Sequence, residues 1–291
     1  MKRLSILLII FLPVALLLGC SSSGQNTQIV ATTFPVYTFT SQLCQGTDLS
    51  VKRLITEEIS CLHDYTLQVS QMRDLENADV VVLSGAGLED FLDDVLSHSA
   101  VTVDASIGIP LLCGGDSHDH DHDHSHEYDP HIWLDPGNAK IMAGNICTEL
   151  SNLYPEYETV FLQNLQSINT QLDALQTYAR ETLSDLSCTE LVTFHDGFSY
   201  FANAFSLNIL HSMEEESGSE PSASEIIHIV QIIQQHKIPA VFTERTGSTA
   251  AATIIAAETG AELYTLDMAM AGDNYYDAMY HNINTIKEAL E

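Results

Sequence analysis

The sequence predicts an α/β protein of two lobes, each with a mostly parallel sheet flanked by helices, joined by one long linking helix. Three observations lead to this fold class. Short apolar stretches rich in β-branched residues alternate with helical patterns in the first part of the chain, a second series of the same kind begins near residue 190, and an extended helical pattern separates the two. Such alternation usually produces a parallel sheet covered by helices.

The N-terminus is typical of an export signal. A basic pair precedes an apolar run over 4–18, which is short for a membrane span. The run ends in Leu-Leu-Gly-Cys at 17–20, which resembles a bacterial lipobox, where the signal is cut before a cysteine that receives lipid. We expect a signal peptide over 1–19, lipidation of Cys20, a flexible tether over 20–27 and a location outside the cytoplasm on the cell membrane. An ordinary signal peptide with a chance cysteine is the alternative.

The N-terminal lobe is expected over 28–136 and the C-terminal lobe over 187–291. In the N-terminal lobe the predicted strands are 29–34, 49–55, 79–83 and 101–104, and the predicted helices are 36–44, 70–77 and 89–96. In the C-terminal lobe the predicted strands are 190–194, 240–243 and 261–266, and the predicted helices are 224–236 and 249–259.

A helical region over 137–186 separates the lobes. After Pro155, the apolar residues from Phe161 to Leu175 follow a 4-3-4-3 spacing, which predicts a helix over 156–186 of about 45 Å. A single rod between the lobes permits small rocking rather than wide closure. A helical hairpin packed on one domain is the alternative.

Composition favours a cation as the partner. The chain has 40 acidic and 10 basic side chains and a net charge of −30, which argues against nucleic-acid binding because phosphate would be repelled. An acidic surface that only maintains solubility is the alternative. Beyond Cys20 the cysteine count is odd and no C-x-x-C pattern occurs, so a thiolate zinc site is not indicated and pairing is not deducible. These cysteines are Cys44, Cys61, Cys113, Cys147 and Cys188.

Four metal-type ligands follow predicted strands. His195 and Asp267 come directly after strands of the second lobe, and His63 and His131 lie in loops after strands of the first. Ligands of open α/β sheets bind outside the carboxyl ends of the strands, so these side chains are expected to converge in the cleft. Three neutral imidazoles and one carboxylate match the nitrogen and oxygen preference of zinc.

A histidine-rich loop is predicted over 116–127. Its histidines are His118, His120, His122, His124 and His126. The segment has no apolar residue between 116 and 126, so a mobile loop is expected. Chelation there must order the chain at about 1–2 kcal/mol per residue, which predicts weaker, auxiliary sites that capture or sense zinc beside the main site. A solvated, silent run is the alternative.

Several motifs together resemble one known family. They are Ala-Thr-Thr-Phe-Pro at 31–35, His-Asp-Tyr at 63–65, Asp-Pro-His-Ile-Trp-Leu-Asp-Pro at 129–136, Thr-Phe-His-Asp-Gly-Phe at 193–198, Glu-Pro-Ser at 220–222, Phe-Thr-Glu at 242–244 and Leu-Asp at 266–267. The chain resembles the solute-binding lipoproteins of bacterial zinc and manganese ABC importers over nearly its whole mature length.

That resemblance implies a carrier rather than an enzyme. It implies that His63, His131 and His195 bind transported Zn²⁺ directly, that Asp267 supplies or approaches the fourth position, and that the partners are a membrane permease with its cytoplasmic ATPase. Manganese importers of the family tend to carry glutamate at the position of His195, and an imidazole there favours zinc. Manganese or another divalent metal is the alternative cargo.

Two other functions remain open. Three histidines on zinc with an open position also activate water in hydrolytic enzymes, with Asp267 as a base, although no His-Glu-x-x-His helix or nucleophile elbow occurs in the sequence. An adhesin that uses the acidic surface is the other alternative.

Overall fold

The computed structural model describes residues 28–59, 62, 65–96, 101–113, 128–214, 221–245 and 249–291. Several predictions from the sequence therefore lie outside the described residues. They concern the export signal and tether over 1–27, Cys61, the ligand His63, and His118, His120, His122, His124 and His126.

The first lobe contains β1 (Gln28–Ala31), α1 (Phe34–Leu43), β2 (Ser50–Arg53), α2 (Val69–Glu76), β3 (Val80–Leu83), α3 (Asp93–Leu96) and β4 (Val101–Asp104). Two helices follow, α4 (Pro136–Leu153) and α5 (Glu158–Thr182). The second lobe contains β5 (Glu190–His195), α6 (Ser199–Ala204), β6 (Asn208–Glu214), α7 (Ala223–His236), β7 (Ala240–Glu244), α8 (Ala250–Thr259), β8 (Glu262–Leu266) and α9 (Tyr275–Leu290). Within the described part of the chain, none of the helices combines the length and the apolar character that a membrane crossing requires.

Each lobe is built on a four-stranded parallel sheet. The strand order is β2-β1-β3-β4 in the first lobe and β6-β5-β7-β8 in the second. Every strand pair is parallel, so all the carboxyl ends of one sheet lie along one edge. The predicted α/β class with two parallel-sheet lobes is confirmed.

The long linking helix is shorter than its predicted span over 156–186. Helix α5 has 25 residues, which corresponds to about 37 Å, because Pro155–Tyr157 forms a separate 3₁₀ turn and the helix ends at Thr182. The apolar residues that follow the predicted spacing form the buried face of this helix, which includes Phe161, Ile168 and Leu175. The helix packs against α4, against α1 of the first lobe and against α9 of the second, so it supports both lobes.

One continuous hydrophobic core runs through both lobes. It contains Val81 of β3, Trp133 between the lobes and Ile283 of α9, all buried. A smaller second core, which includes Val192, Ile229 and Val241, involves strands β5 and β7 and helix α7 of the second lobe. Because the larger core crosses between the lobes, wide separation of the lobes would expose apolar surface to water.

The described cysteines are free thiols. They are Cys44, Cys113, Cys147 and Cys188. Burial raises the pKa of the Cys44 thiol to about 12 and also raises the pKa of Cys147. Neither thiol is therefore ionised at neutral pH, and neither is a ready thiolate ligand for a metal.

Candidate metal centre

Two predicted ligands from different lobes meet at the cleft. His195 is the last residue of β5, and His131 lies in the connection that follows β4. Their Nε2 atoms are 3.3 Å apart, their rings are almost perpendicular at 89°, and the residues are only 2% and 1% exposed. Two nitrogens bound to one tetrahedral zinc ion at about 2.0–2.1 Å are themselves about 3.3 Å apart, so this spacing suits a shared cation.

Asp129 fixes the orientation of the His131 ring. Its Oδ1 atom accepts from the backbone nitrogen of His131 at 2.9 Å and lies 2.8 Å from His131 Nδ1. A carboxylate at Nδ1 favours the tautomer that carries the proton there, which leaves the lone pair on Nε2. The ring therefore presents its acceptor nitrogen to His195 and to any cation between them.

Aromatic side chains hold the same segment in place. The indole of Trp133 meets the His131 ring edge-on, with ring centroids 5.4 Å apart. The hydroxyl of Tyr200, from α6 of the second lobe, donates to the backbone oxygen of Asp129 at 3.0 Å and accepts from the backbone nitrogen of Leu112 at 3.0 Å. Burial raises the pKa of Tyr200 to about 12, so its hydroxyl keeps the proton that it donates.

Gly197 leaves room for the His195 ring. A Cβ atom at this position would lie 2.7 Å from His195 Cδ2 and 2.4 Å from the Cε atom of Met268. Both distances are shorter than van der Waals contact, so any larger residue must displace one of these side chains. The close turn after β5 therefore depends on glycine.

Asp267 has a fixed backbone and an engaged carboxylate. Its backbone nitrogen donates to Asn282 Oδ1 at 2.8 Å, and Asn282 Nδ2 donates back to its carbonyl oxygen at 2.7 Å. Its Oδ1 atom accepts from the backbone nitrogen of Ala269 at 2.8 Å, and its Oδ2 atom accepts from Arg245 Nη1 at 3.1 Å. The side chain is 12% exposed.

The structure thus brings His131 and His195 together and places Asp267 in an ion pair with Arg245. Among the described residues, no group of three or more His, Cys, Asp or Glu side chains is arranged to hold a metal ion. His63 lies outside those residues, and the complete ligand set remains a prediction.

Sequence reasoning assigned no role to four residues that shape this centre, although two of them lie in the motifs at 129–136 and 193–198. They are Asp129, Gly197, Arg245 and Asn282. Asp129 was detectable, since a carboxylate two residues before a ligand histidine is a common partner for its second nitrogen. The contacts of Arg245 and Asn282 with Asp267 depend on strand register and helix packing, for which a single sequence gives no signal.

Comparison with known proteins places the chain among metal-uptake components. A family model described as "ZnuA: Zinc-uptake complex component A periplasmic" matches residues 29–289. The chain belongs to this family. The resemblance predicted from its motifs is thereby confirmed.

Two relatives of this family member extend the comparison. A "Putative metal-binding protein" of Treponema pallidum (strain Nichols) is 28% identical over 273 residues, covering 89% of this chain and 86% of the relative. "Zinc-binding lipoprotein AdcA" of Streptococcus pneumoniae serotype 4 is 30% identical over 314 residues, covering all of this chain and 62% of the relative. This chain therefore spans less than two thirds of the length of AdcA.

A solved structure shares the architecture. The structure titled "Crystal structure of ZnuA" superposes with a TM-score of 0.79 at 26% identity, covering 91% of this chain and 100% of the other. The two-lobed arrangement is thus that of a metal-uptake component.

Proposed function

We propose that this protein is the extracytoplasmic zinc-binding component of an ABC importer, which captures Zn²⁺ between its lobes and delivers it to a membrane permease. The observation that carries the proposal is the buried pair of His131 and His195, one from each lobe, with Nε2 atoms 3.3 Å apart. His63 and Asp267 are proposed as the remaining ligands, and a permease with its ATPase as the partners.

The donor set favours zinc over manganese as cargo. Imidazole nitrogen suits the borderline-soft ions, whereas manganese prefers carboxylate, carbonyl and water oxygens. The two buried imidazoles would supply half of a tetrahedral shell, and a carboxylate at the second ring nitrogen, as Asp129 provides for His131, is the usual support of a metal-binding histidine. We therefore propose Zn²⁺ as the transported ligand.

A carrier also agrees better than a hydrolase with the family of the chain and with the proposed lipid anchor. Membership of a zinc-uptake family supports capture and delivery, and the proposed lipid on Cys20 would keep the protein beside its permease. The histidine-rich loop is proposed as an auxiliary collector of zinc. We assign no catalytic residue.

Competitive titration of the mature protein with zinc and manganese tests the proposal. The wild-type protein is expected to bind one zinc ion tightly and to prefer zinc to manganese. His195→Ala is expected to lose the tight site, whereas His228→Ala, which removes an exposed histidine on α7, is the matched control and should retain it. Tight zinc binding that survives in His195→Ala would refute the proposed site.

A further inference from the structure

Arg245 lies beside Asp267 because of the register of two parallel strands. Glu244, the last residue of β7, pairs with Leu266, the last residue of β8. The next residue on each strand is therefore Arg245 on one and Asp267 on the other. Their side chains join through Arg245 Nη1 and Asp267 Oδ2 at 3.1 Å. The guanidinium thus donates a hydrogen bond to one oxygen of the carboxylate that is proposed as a zinc ligand.

The same guanidinium reaches the other lobe. Arg245 Nη2 lies 3.8 Å from Glu58 Oε1, in the segment that follows β2 and leads toward the proposed ligand His63. Glu58, Arg245 and Asp267 line one pocket between the lobes. The arginine side chain is 51% exposed, so solvent screens both ion pairs and each contributes little free energy.

The backbone around Asp267 is held firmly, which leaves its side chain as the movable part. Besides the pair of hydrogen bonds to Asn282, two further contacts hold the next residues: Trp133 Nε1, between the lobes, donates to Met268 O at 2.8 Å, and Arg53 Nη2 of the first lobe donates to Met270 O at 2.9 Å. A cation that takes the place of Arg245 at Asp267 Oδ2 therefore requires rotation of this side chain, without movement of the strand.

We propose that Arg245 competes with the bound metal for the Asp267 carboxylate and so limits zinc affinity and speeds zinc release. The inference rests on the proposed function, because it concerns regulation of the same site. A fixed positive charge near the cleft also repels a divalent cation, which acts in the same direction. An importer component benefits from such a competitor, because its cargo must leave at the permease.

Zinc affinity and release rate of Arg245→Gln test the proposal. With a competing chelator, Arg245→Gln in the mature protein is expected to bind zinc roughly threefold to tenfold more tightly than wild type, mostly through slower release, because a partly exposed ion pair no longer has to be broken. Arg245→Met, which keeps the aliphatic stem, should show the same change. Arg73→Gln removes an exposed charge on α2 and should leave both quantities unchanged.

A second background separates competition from a general charge effect. In Asp267→Asn, the further change Arg245→Gln is expected to increase zinc affinity by clearly less than it does in the wild-type background, because only the general repulsion by the guanidinium is then removed. An undiminished gain in that background, or weaker zinc binding by Arg245→Gln alone, would overturn the competition and make Arg245 a general repulsive charge or a positioning residue. Failure of wild type to bind zinc would instead refute the proposed function.

Discussion

The histidine pair and Asp267 are held in opposite ways at the same cleft. His131 and His195 are almost fully buried, and His131 is oriented by Asp129 with its acceptor nitrogen toward the partner ring. Asp267 stands at the end of β8, yet its carboxylate bonds to a guanidinium and to a backbone amide. In the proposed metal site, the pair would therefore be preorganised for a cation, whereas the aspartate would first have to leave Arg245, and the two should contribute unequally to affinity.

Loss of one histidine is expected to have the largest effect. Tight zinc sites are worth roughly 10–16 kcal/mol over about four ligands, so His131→Ala should weaken zinc binding by roughly 100- to 1000-fold. Competitive titration with a zinc chelator measures this loss. Circular dichroism of the metal-free protein is the control, because Ala at a buried position also leaves a cavity. If a folded His131→Ala protein loses less than tenfold in zinc affinity, the histidine pair contributes no more to zinc binding than Asp267 is expected to.

Glu89, in the segment that follows β3, is a buried carboxyl group whose hydrogen-bond partners are neutral. Its oxygens accept from Thr32 Oγ1 at 2.6 Å, Ser84 N at 2.8 Å and Gly85 N at 3.0 Å. Burial raises its pKa to about 7, and these hydrogen bonds only partly offset the shift. Asp267, in contrast, has an arginine partner.

The raised pKa of Glu89 predicts a pH-dependent stability. The folded protein retains this proton up to about pH 7, whereas the unfolded chain loses it near pH 4.5, so the unfolding free energy falls as pH rises between these values. The loss is up to about 3 kcal/mol, at about 1.4 kcal/mol per pKa unit. Urea unfolding of metal-free protein from pH 5 to pH 8 should show this slope in wild type and a flatter one in Glu89→Gln.

The matched control for this slope is Glu76→Gln, which changes an exposed carboxylate on α2. It should follow the wild-type dependence. If Glu89→Gln also follows wild type, Glu89 is ionised in the folded protein across this range.

Asp129→Asn tests the preorganisation of the pair. The amide preserves size but removes the charged acceptor at His131 Nδ1, so zinc affinity is expected to fall by roughly 10- to 100-fold, as for other residues that support a metal ligand. Zinc titration measures the change. Asp135→Asn is not a suitable control, because Asp135 caps α4 and its loss would affect the helix. Asp173→Asn, on the exposed face of α5, is the better match and should have no effect. Equal affinities for Asp129→Asn and wild type would show that His131 needs no such partner.

Sequence patterns identified most of the fold and the two histidines that meet in the cleft. Periodicity located β4 without error and α7 within one residue, because their apolar faces are regular. The prediction omitted α9, although its buried Met279, Ile283 and Ile286 follow a helical spacing. Motif and strand-end reasoning placed His131 and His195 in the cleft, since carboxyl ends of parallel strands meet there. The pairing of Arg245 with Asp267 was not foreseeable, because it depends on the register between β7 and β8.

Asp267→Asn is expected to have the smallest effect on zinc binding. When Asp267 binds zinc, it loses its ion pair with Arg245, so the carboxylate adds little net affinity. Removal of the carboxylate should therefore weaken zinc binding by less than about tenfold, which is a smaller loss than for either histidine. The same chelator titration that is used for His131→Ala measures it, and Asp273→Asn is a control on the loop before α9. A loss as large as that of His131→Ala would mean that the carboxylate binds the metal as strongly as an imidazole does. The ion pair with Arg245 would then be too weak to compete.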